Sequence, residues 1–175
     1  MIRRIRMAIS LIAVIIVAGY YLTIFMQDRK TLNFEILDQF TVSTPGYWEI
    51  DEDVDSEDAD LALLTREEDV SVHFVILSKE ETEYEDLESF AEFVAEATKE
   101  SDPEYELKPV DLESYEKAFY YTGSELLAGS FYAINEYLVE KDGYYIFGTA
   151  LSVESNSKKA DSEVKKMLIS LKPAE

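Results

Sequence analysis

The sequence has no cysteine and a single histidine, His73, among its 175 residues. Without cysteine, the chain has no disulfide framework, no thiol nucleophile and no thiolate zinc site. Because His73 is the only histidine, a metal centre built on several histidines is excluded as well. Basic residues are also scarce, with 16 Lys and Arg against 37 Asp and Glu and a net charge of −21. Because nucleic-acid binding relies on clustered basic side chains, this balance argues against nucleic acid as a partner.

Common catalytic motifs are missing as well. The pattern Gly-x-Ser-x-Gly does not occur, and no glycine-rich phosphate loop ends in Lys-Ser or Lys-Thr. His73 lies in the middle of a predicted strand, and we interpret it as a half-exposed strand residue rather than a catalytic base. We therefore predict that the protein is not an enzyme. A carboxylate-based envelope hydrolase is the alternative, which no motif supports.

The charge is distributed unevenly along the chain. Residues 1–30 hold five basic and one acidic residue, whereas the remainder holds 11 basic and 36 acidic residues, a net −25. Residues 7–26 contain no charged side chain. Twenty residues of helix span about 30 Å, the thickness of the hydrocarbon core of a bilayer. This run therefore predicts a transmembrane anchor, and the arginines before it (Arg3, Arg4 and Arg6) predict a cytoplasmic N-terminus.

The same segment has a second interpretation, a secretory signal peptide cleaved near Gly19, which would release the protein into the medium. The apolar run continues to Met26, which favours an uncleaved anchor. We therefore predict a single-pass membrane protein with three parts. These are the cytoplasmic arginines and anchor (1–26), a polar linker (27–33) and an extracytoplasmic domain (34–175).

The predicted domain combines strands with two helices. Residues 61–65 and 70–77 have the composition of a hairpin, and Thr82 with Glu85 predicts a capping box that opens a helix ending at Lys99. Three further strands are predicted at 115–122, 129–140 and 144–153. Asp142-Gly143 between the last two indicates a tight hairpin. A second helix is predicted at the C-terminal end of the chain, because apolar residues recur there at helical spacing and form one stripe. These residues are Ala160, Val164, Met167, Leu168 and Leu171.

The last two predicted strands are apolar on both faces, which requires cover on both sides of the sheet. We therefore predict an α+β fold, a mostly antiparallel sheet flanked by helices. The predicted elements follow a characteristic order: FTVSTPGYWEI, a strand pair, a long helix, an aromatic-rich meander and a closing helix ending in LISLKP. This order resembles the PsbP/Mog1-like superfamily, in particular its small exported bacterial members. The resemblance covers residues 34–173. It implies an α/β/α sandwich that serves as a non-enzymatic binding or accessory module.

The acidic segment 51–60 has seven Asp and Glu in ten residues. An EF-hand that starts at Asp51 would place ligands at Asp53 and Asp55, but positions 6 and 12 of the loop are then serine and alanine instead of glycine and glutamate. We therefore predict a solvated loop and no cofactor. A looser calcium site at these three aspartates, in a calcium-dependent envelope protein, remains the alternative.

Tyrosine is abundant, with 12 copies in the chain. Because its ring is apolar and its hydroxyl polar, tyrosine suits interfaces and ligand pockets. We predict that the partner, apart from the membrane contacted by residues 7–26, is another envelope protein or a small ligand. The candidate binding surface comprises Tyr120, Tyr121, Tyr132, Tyr137, Tyr144 and Tyr145.

Overall fold

The structure is a computed structural model, and it describes residues 20–24, 26–55, 57–67, 69–127 and 130–174. The described chain contains ten strands and two helices, besides a helical stretch at residues 20–24 and 26–28. In chain order they are β1 (Thr31–Ile36), β2 (Phe40–Pro45), β3 (Trp48–Ile50), β4 (Leu61–Thr65), β5 (Val70–Ser78), α1 (Leu87–Thr98), β6 (Lys108–Val110), β7 (Ala118–Leu127), β8 (Ser130–Lys141), β9 (Tyr144–Val153), α2 (Ser157–Ser170) and β10 (Lys172–Pro173).

A seven-stranded antiparallel sheet forms the middle layer, in the order β3-β4-β5-β9-β8-β7-β6. Strands β8 and β9 are apolar on both faces, as predicted, and a helix packs on each face of the sheet. On one side, the α2 face, Ile146 and Ala150 are buried with Leu168 of α2. On the other, the α1 face, Tyr145 is buried with Phe90 of α1, the two rings stacking at 4.3 Å. The predicted α/β/α arrangement is therefore confirmed.

A smaller sheet, in the order β1-β2-β10, packs on the same side as α2. Its first strand begins at Thr31. Residues 31–33, which were predicted to belong to the polar linker, are therefore part of β1 instead. Leu32 pairs with Thr44 and is half-buried, and Phe34 packs against the core. The alternation of apolar and polar residues in β1 therefore extends into the segment that its composition had assigned to the linker.

The start of α1 also differs from the prediction. The helix begins at Leu87, and the carboxylate of Asp86 accepts the capping hydrogen bond from the amide of Ser89 at 2.9 Å. Thr82 is extended and its hydroxyl donates to the carbonyl of Lys79, because a short 3-10 turn precedes it. The prediction of a capping box at Thr82 is therefore wrong, and Asp86, four residues later, serves as the N-cap.

The hairpin turn predicted at Asp142-Gly143 is confirmed. Asp142 and Gly143 have φ of 50° and 85°, the backbone of a two-residue hairpin turn between β8 and β9. Pro109 cannot donate to a strand ladder, which suits a sheet edge. It lies in β6, the outermost strand of the large sheet.

Residues 26–28 lie against the turn between β2 and β3. The carboxylate of Asp28 pairs with the guanidinium of Arg66 at 2.9 Å, and the same guanidinium donates to the carbonyl of Gly46 at 3.1 Å. A side chain at Gly46 would overlap the carbonyl oxygen of Gln27, so glycine is needed for this approach.

Most of the predicted anchor, residues 7–26, lies outside the described residues. Within the part of the chain that the structure describes, no helix is both long enough and apolar enough to cross a membrane.

Candidate functional site: a groove on the α1 face

The α1 face of the large sheet is covered by its helix over only part of its area. Beyond the end of α1, the strand register places Tyr121, Glu136, Thr149 and His73 side by side in one row across β7, β8, β9 and β5. The next row contains Gly123, Ile134, Leu151 and Ser71 in the same strand order. The segment after α1 forms one wall beside these rows, and an open groove results.

This groove, which we call the α1-face groove, has a volume of about 580 Å³. It combines carboxylates, hydroxyls and aliphatic side chains. Its lining residues are Thr98, Ser101, Asp102, Tyr105, Tyr121, Ser124, Glu125, Leu126, Ile134, Glu136, Thr149 and Leu151.

Two buried tyrosines organise the polar groups of the groove. The hydroxyl of Tyr105 donates to one oxygen of Glu136 at 2.5 Å, and that of Thr149 donates to the other oxygen at 3.1 Å. The hydroxyl of Tyr121 donates to Asp102 at 2.7 Å. The two tyrosine rings lie 4.4 Å apart between centroids, so each positions the other.

The electrostatics of this network keep the tyrosines neutral. Burial and the hydrogen-bonded Asp102 raise the pKa of Tyr121 to about 12. Burial and the charge of Glu136 raise the pKa of Tyr105 still further. Both hydroxyls therefore stay protonated at neutral pH and act as donors. Glu136 then accepts one hydrogen bond on each of its oxygens.

Ser71 and His73 form a pair that sequence reasoning missed. They are two residues apart on one face of β5, and Ser71 Oγ lies 2.7 Å from Nε2 of His73. Burial lowers the pKa of His73, which favours the neutral ring. Nucleophilic catalysis of this type also uses a carboxylate on the second ring nitrogen. Among the described residues, no hydrogen bond joins Nδ1 of His73 to a carboxylate.

The acidic segment 51–60 folds through local hydrogen bonds. Asp51 accepts from the amide of Asp53 and Asp55 from that of Glu57, each at 3.2 Å. Asp60 accepts from the amide of Ile76 at 2.6 Å and so extends the pairing of β5. No group of three or more acidic or histidine side chains in the described ranges is arranged to hold a metal ion. Calcium binding at Asp51, Asp53 and Asp55 stays an untested alternative.

The six tyrosines of the predicted surface divide between the two faces, because successive strand residues point to opposite sides. The strand register places Tyr120, Tyr137 and Tyr144 on the α2 face and Tyr121, Tyr132 and Tyr145 on the α1 face. They therefore do not share one surface. Of the six, Tyr121 lines the α1-face groove and Tyr145 is fully buried beneath α1.

Two groove residues escaped the sequence analysis, Tyr105 and Glu136. Tyr105 lies in an irregular segment after α1, where no periodicity indicates a contact with the sheet. Glu136 did carry a signal, since its neighbours on the same side of the predicted strand, Ile134 and Leu138, are apolar.

No protein-family model matches the sequence, and no curated protein matches it. The fold is similar to that of a number of solved structures at low sequence identity. The first, from Bacteroides thetaiotaomicron, is 10% identical with a TM-score of 0.55, over 78% of this chain and 46% of that one. This chain thus spans less than half of the first neighbour's length.

Two other neighbours are matched over most of their own length. The Ran-binding protein Mog1p of Saccharomyces cerevisiae is 10% identical with a TM-score of 0.56, over 84% of this chain and 97% of that one. LpqN of Mycobacterium tuberculosis, involved in cell envelope biogenesis, is 11% identical with a TM-score of 0.56, over 83% and 91%. The PsbP/Mog1-like fold implied by the resemblance is confirmed.

Proposed function

We propose that the protein is a membrane-anchored, extracytoplasmic binding module without catalytic activity, and that the α1-face groove is its binding site. The observation that supports the site is the network itself. Two buried tyrosines and Thr149 satisfy Glu136 and Asp102, which leaves a preformed acidic groove with aliphatic side chains at Ile134 and Leu151. Preformed grooves with a few fixed polar groups are typical of binding sites.

The fold supports a binding role as well. Mog1p is described as Ran-binding and LpqN as involved in cell envelope biogenesis, and both share the fold of this chain. The uneven charge supports the location, since basic residues cluster before the apolar run and acidic residues follow it. The partner that we propose is another envelope protein.

Site-specific crosslinking in the cells that make the protein tests the groove. A photoreactive benzoylphenylalanine at Ser101, an exposed residue in the wall of the groove, should give a discrete adduct. The same group at Glu92, exposed on α1, should not. Leu151→Trp, which fills the groove, should abolish the adduct. Leu77→Trp, a matched substitution on the same face outside the groove, should leave it intact. An adduct that survives Leu151→Trp would overturn the proposal.

Fractionation tests the anchor. The full-length protein should remain with membranes after an alkaline wash, and protease added outside intact cells should digest it. Recovery from the medium of a shortened protein that begins near Tyr20 would show that the N-terminal segment is a cleaved signal peptide.

A further inference from the structure

The outer edge of β7 is open along most of its length. The neighbouring strand β6 pairs with only three of its residues, and the last pair is Lys108 with Tyr120. In the described part of the chain, no strand pairs with the outer side of Tyr121–Leu127. Every second residue of such an edge directs its N–H and C=O away from the sheet, where they are available to another chain.

Pockets lie on both sides of this edge. The α1-face groove lies on one side. A second pocket of about 540 Å³ lies towards the start of α2, and it shares Asp102, Tyr121 and Ser124 with the groove. A strand added to a sheet edge directs its side chains alternately to the two faces. The flanking pockets are therefore placed to receive them.

The charge and polarity of the edge indicate which kind of strand fits. The two pockets are lined by five carboxylates and by no lysine or arginine, and Leu126 and Phe131 nearby are 58% and 66% exposed. A segment with alternating basic and apolar residues complements this surface. A second copy of the chain does not, because residues 31–175 carry a net −25 and Glu125 lies on the edge itself. The five carboxylates are those of Asp102, Glu104, Glu125, Glu136 and Glu154.

We infer that the open edge of β7 binds an extended basic segment of a partner protein by strand addition. The inference rests on the proposed function, since the α1-face groove is one of the two pockets. Backbone hydrogen bonds to Tyr121–Leu127 provide the alignment. Basic side chains meet the carboxylates, and apolar ones cover Leu126 and Phe131.

The test uses the full-length protein in nanodiscs and a short synthetic peptide of alternating lysine and valine. This peptide should bind, and one of alternating glutamate and valine should not. Two methylated versions, N-methylated at every lysine or at every valine, separate strand pairing from simple charge attraction. Only one edge of the added strand faces β7, so one version should lose binding and the other should keep it. Equal affinities of the two methylated peptides would overturn the inference.

Two protein-side measurements localise the contact. Glu125→Lys should weaken binding of the lysine-valine peptide about tenfold, whereas Glu35→Lys, an exposed charge reversal in β1, should leave it nearly unchanged. Amide hydrogen exchange of residues 121–127 should slow when the peptide binds. Protection elsewhere without protection here would contradict strand addition.

The outcomes separate this inference from the proposed function. An adduct at Ser101 that Leu151→Trp abolishes, together with equal binding of both methylated peptides, would keep the groove as a binding site and reject strand addition. An adduct insensitive to Leu151→Trp would reject the groove itself.

Discussion

Gly123→Ala offers a sharp test of the groove, because its effect should change sign with the identity of a neighbouring side chain. The ring and hydroxyl of Tyr121 lie over Gly123, two residues along the same face of β7, and an added Cβ would overlap them. The backbone of Gly123 does not lie in the left-handed region, so alanine is otherwise permitted there. The substitution should therefore displace Tyr121 from Asp102 and from the ring of Tyr105.

The magnitude follows from what Tyr121 loses. A hydrogen bond to a charged group contributes about 1.5–3 kcal/mol, and we take about 1 kcal/mol here because Asp102 is only half-buried and water can replace the donor. The ring pair with Tyr105 contributes about 0.5–1.5 kcal/mol. Replacing glycine by alanine within a strand regains about 0.5–1 kcal/mol. The net loss should be about 1 kcal/mol, or roughly 2–4 °C in Tm.

Thermal unfolding followed by circular dichroism measures this loss, and the Tyr121→Ala background is the control. The three atoms nearest to the new methyl group all belong to Tyr121, so Gly123→Ala should stabilise the variant that lacks this ring by about 0.5–1 kcal/mol. An equal loss in both backgrounds would refute the placement of Tyr121 over Gly123.

Three further predictions concern the whole domain. Because residues 31–175 carry a net −25, the Tm should rise as monovalent salt goes from about 0.01 M to about 0.1 M, and an unchanged Tm would show that repulsion is unimportant. Burial raises the pKa of six tyrosines, among them Tyr47 and Tyr121 to about 12. Above about pH 10 these tyrosines therefore ionise in the unfolded chain but not in the folded one, which favours unfolding. The urea midpoint should be constant up to about pH 10 and fall above it. A midpoint constant to pH 11 would contradict these environments. Calcium should stabilise the protein no more than magnesium does. The triple substitution Asp51→Asn, Asp53→Asn and Asp55→Asn should not change that response. A saturable, calcium-selective rise in Tm that the triple substitution abolishes would establish a site.

The layered architecture could be predicted because its determinants are local. Tyr145 and Ile146 are adjacent, apolar and on opposite faces, and two apolar faces require two covering layers. Asp142-Gly143 likewise specifies its hairpin through the φ > 0 that the turn demands. The start of β1 was missed because Thr31 and Asn33 dominate the composition of a short segment. Their pairing partners in β2 are 14 and 10 residues away, beyond the reach of a local pattern.

The groove was less accessible to sequence reasoning because long-range pairing creates it. The row of Tyr121, Glu136, Thr149 and His73 draws on four strands, and its members span 76 positions of the chain. Tyrosine abundance drew attention to β7, but it could not distinguish Tyr121 from Tyr120. The register between strands, rather than local composition, decides which of these two tyrosines points into the groove.

The contact between Gly46 and Gln27 affects how the protein can search for a partner. A module on a flexible tether sweeps a volume around its anchor, and its local concentration is set by tether length. Here the chain passes from helical residue 28 to β1 at Thr31 with hardly any slack, and the pair of Asp28 with Arg66 fastens that junction to the β2–β3 turn. Residues 26–28 therefore do not act as a flexible tether for the domain. For the anchored protein that we propose, the open edge of β7 samples a narrower volume than it would on a flexible tether, and encounters depend on partners that present their segment within that volume.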